Sequence, residues 1–457
     1  MNRIRRRAWI MLVFMAVLVG GMGFFLAEFS MKGREWVTFK GSPHVYQGSS
    51  LVAGQVTDRD GTLLLDTTDG RVYSENRTIR QATLHWLGDR QGNISTAALR
   101  EYAAAMTGFD PINGVYHYAG APGTLELTLS ARVQAAALNA MDGRKGTVAV
   151  YNYKTGQILC AVSTPTYDPD NVPNIAGDTT GIWDGVYLNR FTQVTYPPGS
   201  IFKIVTTAAA LDSVEGILDM TFTCDSHFEV QGSRVTCESA HGEVDLKNAL
   251  ARSCNCAFAQ IAQLIGSEKL AGYAEQFGIM NSLSFDGVTT VPGNFDLAGA
   301  DKVALAWSAI GQYTDMVNPC QYMTFMGAIA NGGRSAMPYL VEQVTAGDEV
   351  AYKAPGTRME ETISPKIAET LTEYMRNNVQ TIYGEHNFPG LKVCAKSGTS
   401  ELGGGKKPNA MFAGFLADEE YPLAFIVVVE NGGYGANTCV PILSKVLAEC
   451  KAVIDGN

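Results

Sequence analysis

An uncharged stretch near the start of the chain, from Ala8 to Ala27, constrains the fold more than any other feature of the sequence. Its length of about 20 mostly apolar residues is that of a helix crossing the hydrocarbon core of a bilayer. Four arginines stand among the seven residues before it, and basic residues favour the cytoplasmic side of a membrane. The stretch ends at Phe24-Phe25-Leu26-Ala27-Glu28, a poor signal-peptide cleavage site, although an inefficiently cleaved signal peptide stays an alternative. We therefore predict a cytoplasmic tail at residues 1–7 and a transmembrane signal anchor at residues 8–28, with the rest of the chain outside the cytoplasm.

The composition of the chain restricts the partners and cofactors that it can be expected to bind. Hydrophobic residues make up 46% and charged residues 18% of its 457 residues, a balance typical of a folded protein. The net charge is -10 and the isoelectric point is about 5.2. We expect no nucleic-acid partner, because phosphate binding needs a basic surface. With only six histidines and no recognised zinc-ligand spacing, we also expect neither a metal nor another cofactor.

The nine cysteines are an odd number, so at least one has no partner within the chain. Cys224 and Cys237 flank a polar, hairpin-like stretch and are the best candidates for a disulfide. Cys160 and Cys394 lie in apolar, strand-like runs, where a small buried side chain is the simpler interpretation. The sequence thus offers one candidate pair but not the geometry that a bridge requires.

Turn residues cluster at 120–123 and divide the chain after the anchor into two parts. Residues 29–121 are predicted to form a linker and a short N-terminal module, which opens with two strands around the turn Asp60-Gly61. Residues 122–457 are predicted to have strands at both ends and helices between them. This order indicates an α+β domain whose sheet unites its N- and C-terminal parts.

Ser200 and Lys203 follow a Pro-Pro-Gly turn and begin a segment of helical composition. Residues three apart share a helix face, so the hydroxyl and the amine can meet. A serine needs an adjacent base to act as a nucleophile, and a lysine can serve when burial or nearby positive charge keeps it neutral. The alternative is a capping serine with a solvated lysine, since Ser-x-x-Lys arises by chance about once in a chain this long.

Ser253 and Asn255 lie in the segment LARSCNCAFAQIA. A hydroxyl and an amide two residues apart can relay a proton and orient the amide of a substrate. The pattern alone is weak, because Ser-x-Asn also occurs at residues 74–76 and because both residue types cap helices.

The segment Lys396-Ser397-Gly398-Thr399 follows a predicted strand at 391–395. A lysine on a strand edge can bind a carboxylate, a neighbouring hydroxyl adds a hydrogen bond, and the glycine lets a substrate approach the backbone. Lys154-Thr155-Gly156 matches the same pattern. It stands before Ser200 and between two apolar runs, so we interpret it as a structural hairpin.

The order of these motifs resembles one known family. Ser-x-x-Lys, Ser-x-Asn and Lys-Ser/Thr-Gly, in this order, are the active-site motifs of penicillin-binding proteins and serine β-lactamases. The segments YPPGSIFK, AIGQYTDMVNPC and AKSGTSE are similar to transpeptidase-domain sequence, and the resemblance covers about Pro122 to Ile454. GQVTDRDG, near residues 54–61, resembles the start of the N-terminal pedestal of class B penicillin-binding proteins. The resemblance implies a transpeptidase/β-lactamase-like domain, with a mainly antiparallel sheet flanked by helices, on a short pedestal.

The resemblance also implies a peptidoglycan D,D-transpeptidase mechanism without a cofactor. Ser200 would attack a stem peptide, Lys203 would take its proton, Ser253 would pass a proton to the leaving group and Asn255 would hold the peptide amide. The group that would bind the terminal carboxylate is Lys396 with Ser397 and Thr399. The oxyanion would lie between the backbone N–H groups of Ser200 and Thr399. β-Lactams would be further ligands, and a SEDS-family glycosyltransferase would be a membrane partner.

Three other functions remain open at this point. A D,D-carboxypeptidase or a β-lactamase would use the same residues, and a scaffold or β-lactam sensor could retain the fold without catalysis. The chain also departs from the family pattern, because Cys254 stands where Asp is common and Ser397 where Thr is common. The predicted pedestal is short for a class B protein.

Overall fold

The computed structural model of the protein describes residues 2–39, 42, 46–47, 50–51, 54–68, 70–107, 123–347 and 349–456. The predicted boundary between residues 121 and 122 lies outside these ranges, and the domain limits therefore stay predictions.

Helices and strands alternate along most of the described chain. The helices are α1 (Asn2–Val37), α2 (Arg77–Leu87), α3 (Ala97–Glu101), α4 (Ala103–Met106), α5 (Ala131–Met141), α6 (Lys203–Ser213), α7 (Leu246–Ala251), α8 (Asn255–Ile265), α9 (Ser267–Gln276), α10 (Lys302–Ser308), α11 (Pro319–Ala330), α12 (Pro365–Asn378) and α13 (Gly435–Ile454). The strands are β1 (Tyr46–Gln47), β2 (Ser50–Leu51), β3 (Gly54–Thr57), β4 (Leu63–Asp66), β5 (Val72–Tyr73), β6 (Gly123–Leu127), β7 (Gly146–Asn152), β8 (Ile158–Thr164), β9 (Thr221–Cys224), β10 (His227–Val230), β11 (Ser233–Thr236), β12 (Gly242–Asp245), β13 (Ser284–Phe285), β14 (Val288–Thr289), β15 (Val341–Ala346), β16 (Glu349–Lys353), β17 (Val393–Ser400), β18 (Asn409–Leu416) and β19 (Leu423–Val429).

A five-stranded sheet forms the centre of the C-terminal part, in the order β17-β18-β19-β7-β8. Every neighbouring pair in it is antiparallel. Its strands are buried on both faces, which explains why they read as continuous apolar runs rather than as an alternating pattern. The sheet joins strands before Ser200 to strands after residue 390, and the predicted α+β architecture is confirmed.

Helices cover both faces of this sheet. One core contains the apolar side chains of α5 and α13, and the opposite core contains those of α6, α8 and α11. Helix α6 lies so deep in the second core that residues 203–210 are all buried. A side chain on α6 is therefore held in a dry and tightly packed environment.

A second sheet has the order β16-β15-β6-β3-β4-β5. The predicted hairpin around Asp60-Gly61 is present as β3 and β4. Strand β3 pairs with β6, and β6 pairs with β15 from the region after α11. The predicted pedestal and the C-terminal part therefore contribute strands to one sheet.

Helix α1 contains the predicted membrane anchor. Among the described residues it is the one helix long and apolar enough to cross a membrane, and its apolar window, within Arg3–Gly33, is not buried against the rest of the protein. An apolar surface of that length without protein contacts fits a lipid environment.

Asp315 is a buried acidic residue close in sequence to the segment that pairs with the chain before the Pro-Pro-Gly turn. It is 2% exposed, and neither carboxylate oxygen accepts a hydrogen bond from the described part of the chain. It stands two residues before Val317, whose backbone pairs with Tyr196 immediately ahead of the Pro-Pro-Gly turn. Burial raises the pKa of the Asp315 carboxyl to about 8, because the charged form is poorly solvated there.

We predict that replacing Asp315 by Asn changes the pH dependence of stability. The unfolded chain loses this proton above about pH 4, whereas the folded chain keeps it until about pH 8. Rising pH therefore destabilises the wild type by up to about 1.4 kcal/mol per pH unit within this window. The unfolding midpoint of Asp315→Asn, relative to wild type, should rise between pH 5 and pH 8 in thermal melts of the full chain in detergent.

The control is Asp142→Asn, because the Asp142 side chain is 82% exposed. Its midpoint relative to wild type should be the same at both pH values. An Asp315→Asn difference that does not change with pH would contradict a protonated, buried carboxyl.

Candidate active site

The Pro-Pro-Gly turn places Ser200 against the edge of the five-stranded sheet. Residues Gly199–Phe202 form one turn of 3-10 helix, and α6 begins at Lys203. Gly199 has a φ of +54°, and a Cβ atom there would lie 2.5 Å from the carbonyl oxygen of Thr399. The glycine is required because a left-handed backbone and a close approach coincide at this position. Ser200 therefore lies next to the backbone of β17.

Lys203 connects three of the predicted residues. Its Nζ atom lies 3.0 Å from Ser200 Oγ and 3.1 Å from Ser253 Oγ. It donates to Asn255 Oδ1 at 2.7 Å and to the carbonyl oxygen of Ser253 at 2.7 Å. The amine thus stands between the nucleophile candidate and the second motif.

Lys396 enters the same group from the sheet. Its Nζ atom donates to Ser253 Oγ at 3.1 Å and to the carbonyl oxygen of Ser397 at 2.9 Å. Ser253 Oγ is therefore within hydrogen-bonding distance of both lysines. The three predicted motifs meet at this one hydroxyl.

Both lysines are fully buried, and no ion pair joins either of them to a carboxylate within the described residues. Burial, followed by the charge of Lys396, lowers the pKa of Lys203 well below its ordinary value. Burial lowers the pKa of Lys396 to about 7. A neutral Lys203 amine can accept a proton from Ser200, which a solvated lysine cannot do at neutral pH.

The second motif is held in a strained turn. Ser253 has a φ of +54°, a conformation that costs on the order of 1–3 kcal/mol for a residue with a side chain. Helix α8 begins directly after it at Asn255, whose side-chain Nδ2 donates to the carbonyl oxygen of Thr236 at 2.9 Å. The strained turn directs Ser253 Oγ toward the lysines and fixes the amide of Asn255.

The third motif lies on β17, the edge strand of the sheet. The backbone N–H of Ser397 donates to Tyr383 Oη at 2.9 Å, and the Ser397 and Tyr383 hydroxyls are 3.0 Å apart. Thr399 Oγ1 accepts a hydrogen bond from the backbone N–H of Gly435 at 3.1 Å. Tyr383 ends the π-helical turn Val379–Tyr383 that follows α12, and Gly435 begins α13. The sequence did not predict either residue, because no local pattern links them to the third motif.

A cleft of about 470 Å³ exposes this group to solvent. It is lined by Ser200, Ser253, Asn255, Ser397 and Thr399, five of the eight predicted site residues, while both lysines lie beneath its floor. Further lining residues are Trp307, Ile310, Gln312, Glu401 and Tyr434. Ile310 and Gln312 fall within AIGQYTDMVNPC, the segment whose sequence already resembled a transpeptidase.

The two competing motif matches lie elsewhere. Asn76 caps helix α2 through its side chain. Lys154 and Thr155 donate their backbone N–H groups to Asn152 Oδ1 in the turn between β7 and β8, as predicted for a structural hairpin. Neither match lines the cleft.

The predicted disulfide between Cys224 and Cys237 is not formed, and both thiols are free. Cys224 Sγ lies 3.6 Å and Cys237 Sγ 3.4 Å from Nδ1 of the same residue, His241. Both thiols therefore lie close to the same imidazole. The sequence spacing suggested a pair of cysteines because it did not reveal that His241 lies next to both of them in the fold.

Known proteins resemble this chain over most of its length. The family described as the penicillin binding protein transpeptidase domain matches residues 146–448. The peptidoglycan D,D-transpeptidase PbpA of Mycolicibacterium smegmatis is 32% identical over 368 residues, which are 73% of this chain and 71% of the relative. Stage V sporulation protein D of Bacillus subtilis is 28% identical, over 71% of this chain and 53% of that protein.

A solved structure agrees with the same family. Penicillin-binding protein A from Mycobacterium tuberculosis, in its ceftriaxone acyl-enzyme complex, has a TM-score of 0.76 and 27% identity, and the alignment covers 87% of this chain and 98% of that one. The chain therefore belongs to the penicillin-binding protein transpeptidase family and is a class B member.

Proposed function

We propose that this chain, a peptidoglycan D,D-transpeptidase, works through an acyl-enzyme on Ser200. The observation that carries the proposal is the position of Lys203 Nζ, within 3.1 Å of Ser200 Oγ, Ser253 Oγ and Asn255 Oδ1. Names and structures of the relatives support the same chemistry, since a homologous structure is an acyl-enzyme complex with a β-lactam.

Acylation starts with the Ser200 hydroxyl. Its oxygen attacks the carbonyl carbon of the penultimate D-alanine of a stem peptide, and the hydroxyl proton moves to the neutral amine of Lys203. The tetrahedral intermediate collapses when the bond to the terminal D-alanine breaks. Ser253, 3.1 Å from both lysines, passes a proton to the departing amine.

The cleft holds the substrate by groups from all three motifs. Asn255 binds the peptide amide, and the hydroxyls of Ser397 and Thr399 bind the terminal carboxylate. Lys396 is buried below them, so its charge attracts the carboxylate through the low-dielectric floor. The backbone N–H groups of Ser200 and Thr399 stabilise the oxyanion, and the contact between Gly199 and Thr399 brings these two segments together.

The acyl-enzyme is resolved by an amine. The amine of a neighbouring stem peptide attacks the ester carbonyl, an amide forms, and the bond to Ser200 Oγ breaks. A β-lactam enters by the same attack, but its ring-opened amine stays attached and blocks the acceptor. A stable covalent complex is the consequence.

We predict that a fluorescent penicillin labels the full chain in detergent and that Ser200→Ala abolishes the label. Lys203→Ala should slow labelling by about 10²- to 10⁴-fold, the usual loss when a general base is removed. The measurement is the time course of in-gel fluorescence, followed after excess unlabelled penicillin is added. A label that persists for many minutes supports transpeptidation, whereas loss within seconds would indicate a β-lactamase.

The hairpin lysine provides a matched control. Lys154→Ala removes the lysine of the other match to the Lys-Ser/Thr-Gly pattern and should label at the wild-type rate, because Lys154 lies outside the cleft. Ser74→Ala is the corresponding control for the middle motif. Equal labelling of wild type and Ser200→Ala would refute the assignment of the nucleophile.

We propose that the N-terminus is cytoplasmic and the catalytic region extracytoplasmic. The arginines before the apolar stretch support this orientation. Alkaline phosphatase fused after Asn457 should be active in cells, because that enzyme folds only where disulfides can form. If the phosphatase fusion is inactive and a reporter that fluoresces only in the cytoplasm is fluorescent at the same position, the catalytic region lies in the cytoplasm and the proposed orientation is wrong.

We propose that the membrane partner is a SEDS-family glycosyltransferase. Membership of class B supports it, because the resemblance to that class implies a separate glycosyltransferase. A tagged full chain, cross-linked in membranes, should enrich such a protein more than a control in which residues 1–39 anchor an unrelated domain. Equal recovery in both samples would argue against the partnership.

A further inference from the structure

Three thiols and an imidazole converge beside the second active-site motif. They belong to Cys224, Cys237, His241 and Cys254, and their ligand atoms all lie within 4.8 Å of one another. His241 Nδ1 is 3.6 Å from Cys224 Sγ and 3.4 Å from Cys237 Sγ. Among the described residues this is the only such group of potential metal ligands. Three sulfurs and one ring nitrogen are a ligand set that suits zinc.

The local fold brings these four residues together from separate elements. Cys224 ends β9, which pairs with β12, and the backbone N–H of His241 just before β12 donates to the carbonyl oxygen of Cys224 at 3.0 Å. Cys237 follows β11, and Cys254 caps helix α8. The spacing Cys-x12-Cys-x3-His-x12-Cys is too long to resemble a compact zinc finger, which explains why the sequence did not reveal it.

Neighbouring groups orient the sulfurs and the ring. The backbone N–H of Asn255 is directed at Cys237 Sγ at 3.3 Å, and that of Ala257 at Cys254 Sγ at 3.4 Å. His241 Nε2 lies 3.3 Å from Ser239 Oγ, so a hydrogen on Nε2 would leave Nδ1 free to face the thiols. Hydrogen bonds of this kind fix the ligands of metal sites.

We propose that Cys224, Cys237, His241 and Cys254 bind one Zn²⁺ ion in a tetrahedral site. Thiolate ligands select zinc over hard cations such as Mg²⁺. Four protein ligands leave no open position, so the ion is structural and takes no part in the reaction. This revises the expectation from the sequence that the chain holds no metal.

The position of the ion gives it a role in the active site. Cys254 stands between Ser253, with its strained backbone, and Asn255, whose N–H contacts Cys237. A bond from Cys254 to the ion would hold this turn in place and keep Ser253 Oγ and Asn255 Oδ1 on Lys203. Cys237 and His241 also line the cleft, and loss of the ion would therefore slow acylation. Only this coupling rests on the proposed function, whereas zinc binding itself does not.

The experiment measures metal in the full chain, purified in detergent without chelators. Wild type should contain one zinc per chain by elemental mass spectrometry. Cys254→Ser should lose the zinc, because serine offers no thiolate ligand. The helix should stay intact, because serine can still cap α8. The control is Cys439→Ser, which removes a buried thiol in the core on the other face of the sheet, outside the group, and should retain zinc.

A chelated sample separates the two parts of the proposal. Removing the metal should lower the melting temperature and slow fluorescent-penicillin labelling, and Zn²⁺ but not Mg²⁺ should restore both. Co²⁺ in place of zinc should give the visible absorption of a tetrahedral thiolate site. If zinc binds but chelation does not change the labelling rate, the proposed effect of zinc on acylation is wrong, whereas the proposed zinc site is supported.

Other results overturn the site itself. One is a wild-type chain that contains no zinc, fails to bind added Zn²⁺ and shows a Cys224–Cys237 disulfide by peptide mapping, since oxidised sulfurs cannot be ligands. Another is equal zinc content in wild type and Cys254→Ser. The metal measurement does not depend on catalysis, so its failure is distinguishable from failure of the proposed function.

Discussion

The arrangement of the active site depends on the contacts that the buried amine of Lys203 makes. This amine is buried in α6, forms no ion pair with a carboxylate of the residues that the structure describes, and contacts Ser200, Ser253 and Asn255. A lysine in such a place is unfavourable when charged, because nothing replaces its hydration with a negative partner. In the proposed mechanism, burial keeps Lys203 neutral, so that it can act as the base for Ser200. Removing the burial of α6 would remove the chemistry as well.

The surrounding structure explains how three distant motifs share one amine. The sheet places Lys396 on the edge strand β17, and Gly199 lets the Ser200 turn dock against that strand. Ser253 reaches both lysines only because its backbone adopts a left-handed conformation. Strain of this kind persists where neighbouring structure enforces it. The start of α8 and the cysteine–histidine group to which Cys254 belongs lie directly against this turn.

The sequence predicted the residues that meet around Lys203 better than the residues that hold them in place. Ser200, Lys203, Ser253 and Lys396 could be found because short spacings and a fixed order of motifs mark them. Tyr383 and Gly435, which hold β17, carry no local pattern and are placed by helix packing. Cys224 and His241 meet through the pairing of β9 with β12, which a spacing argument cannot see, so a disulfide was predicted in place of a four-residue cluster. The sharing of one sheet between the predicted pedestal and the C-terminal part, through the pairing of β15 with β6 and of β6 with β3, also carries no local sequence pattern.

The most direct test of the account is to locate the covalent bond. The full chain is treated with a β-lactam in detergent, digested with a protease, and its peptides are examined by tandem mass spectrometry. The account predicts an adduct with the mass of the intact β-lactam on the peptide YPPGSIFK, assigned to Ser200. An adduct on any other residue, or none after prolonged incubation with a folded chain, would contradict the central role of the Ser200–Lys203 pair.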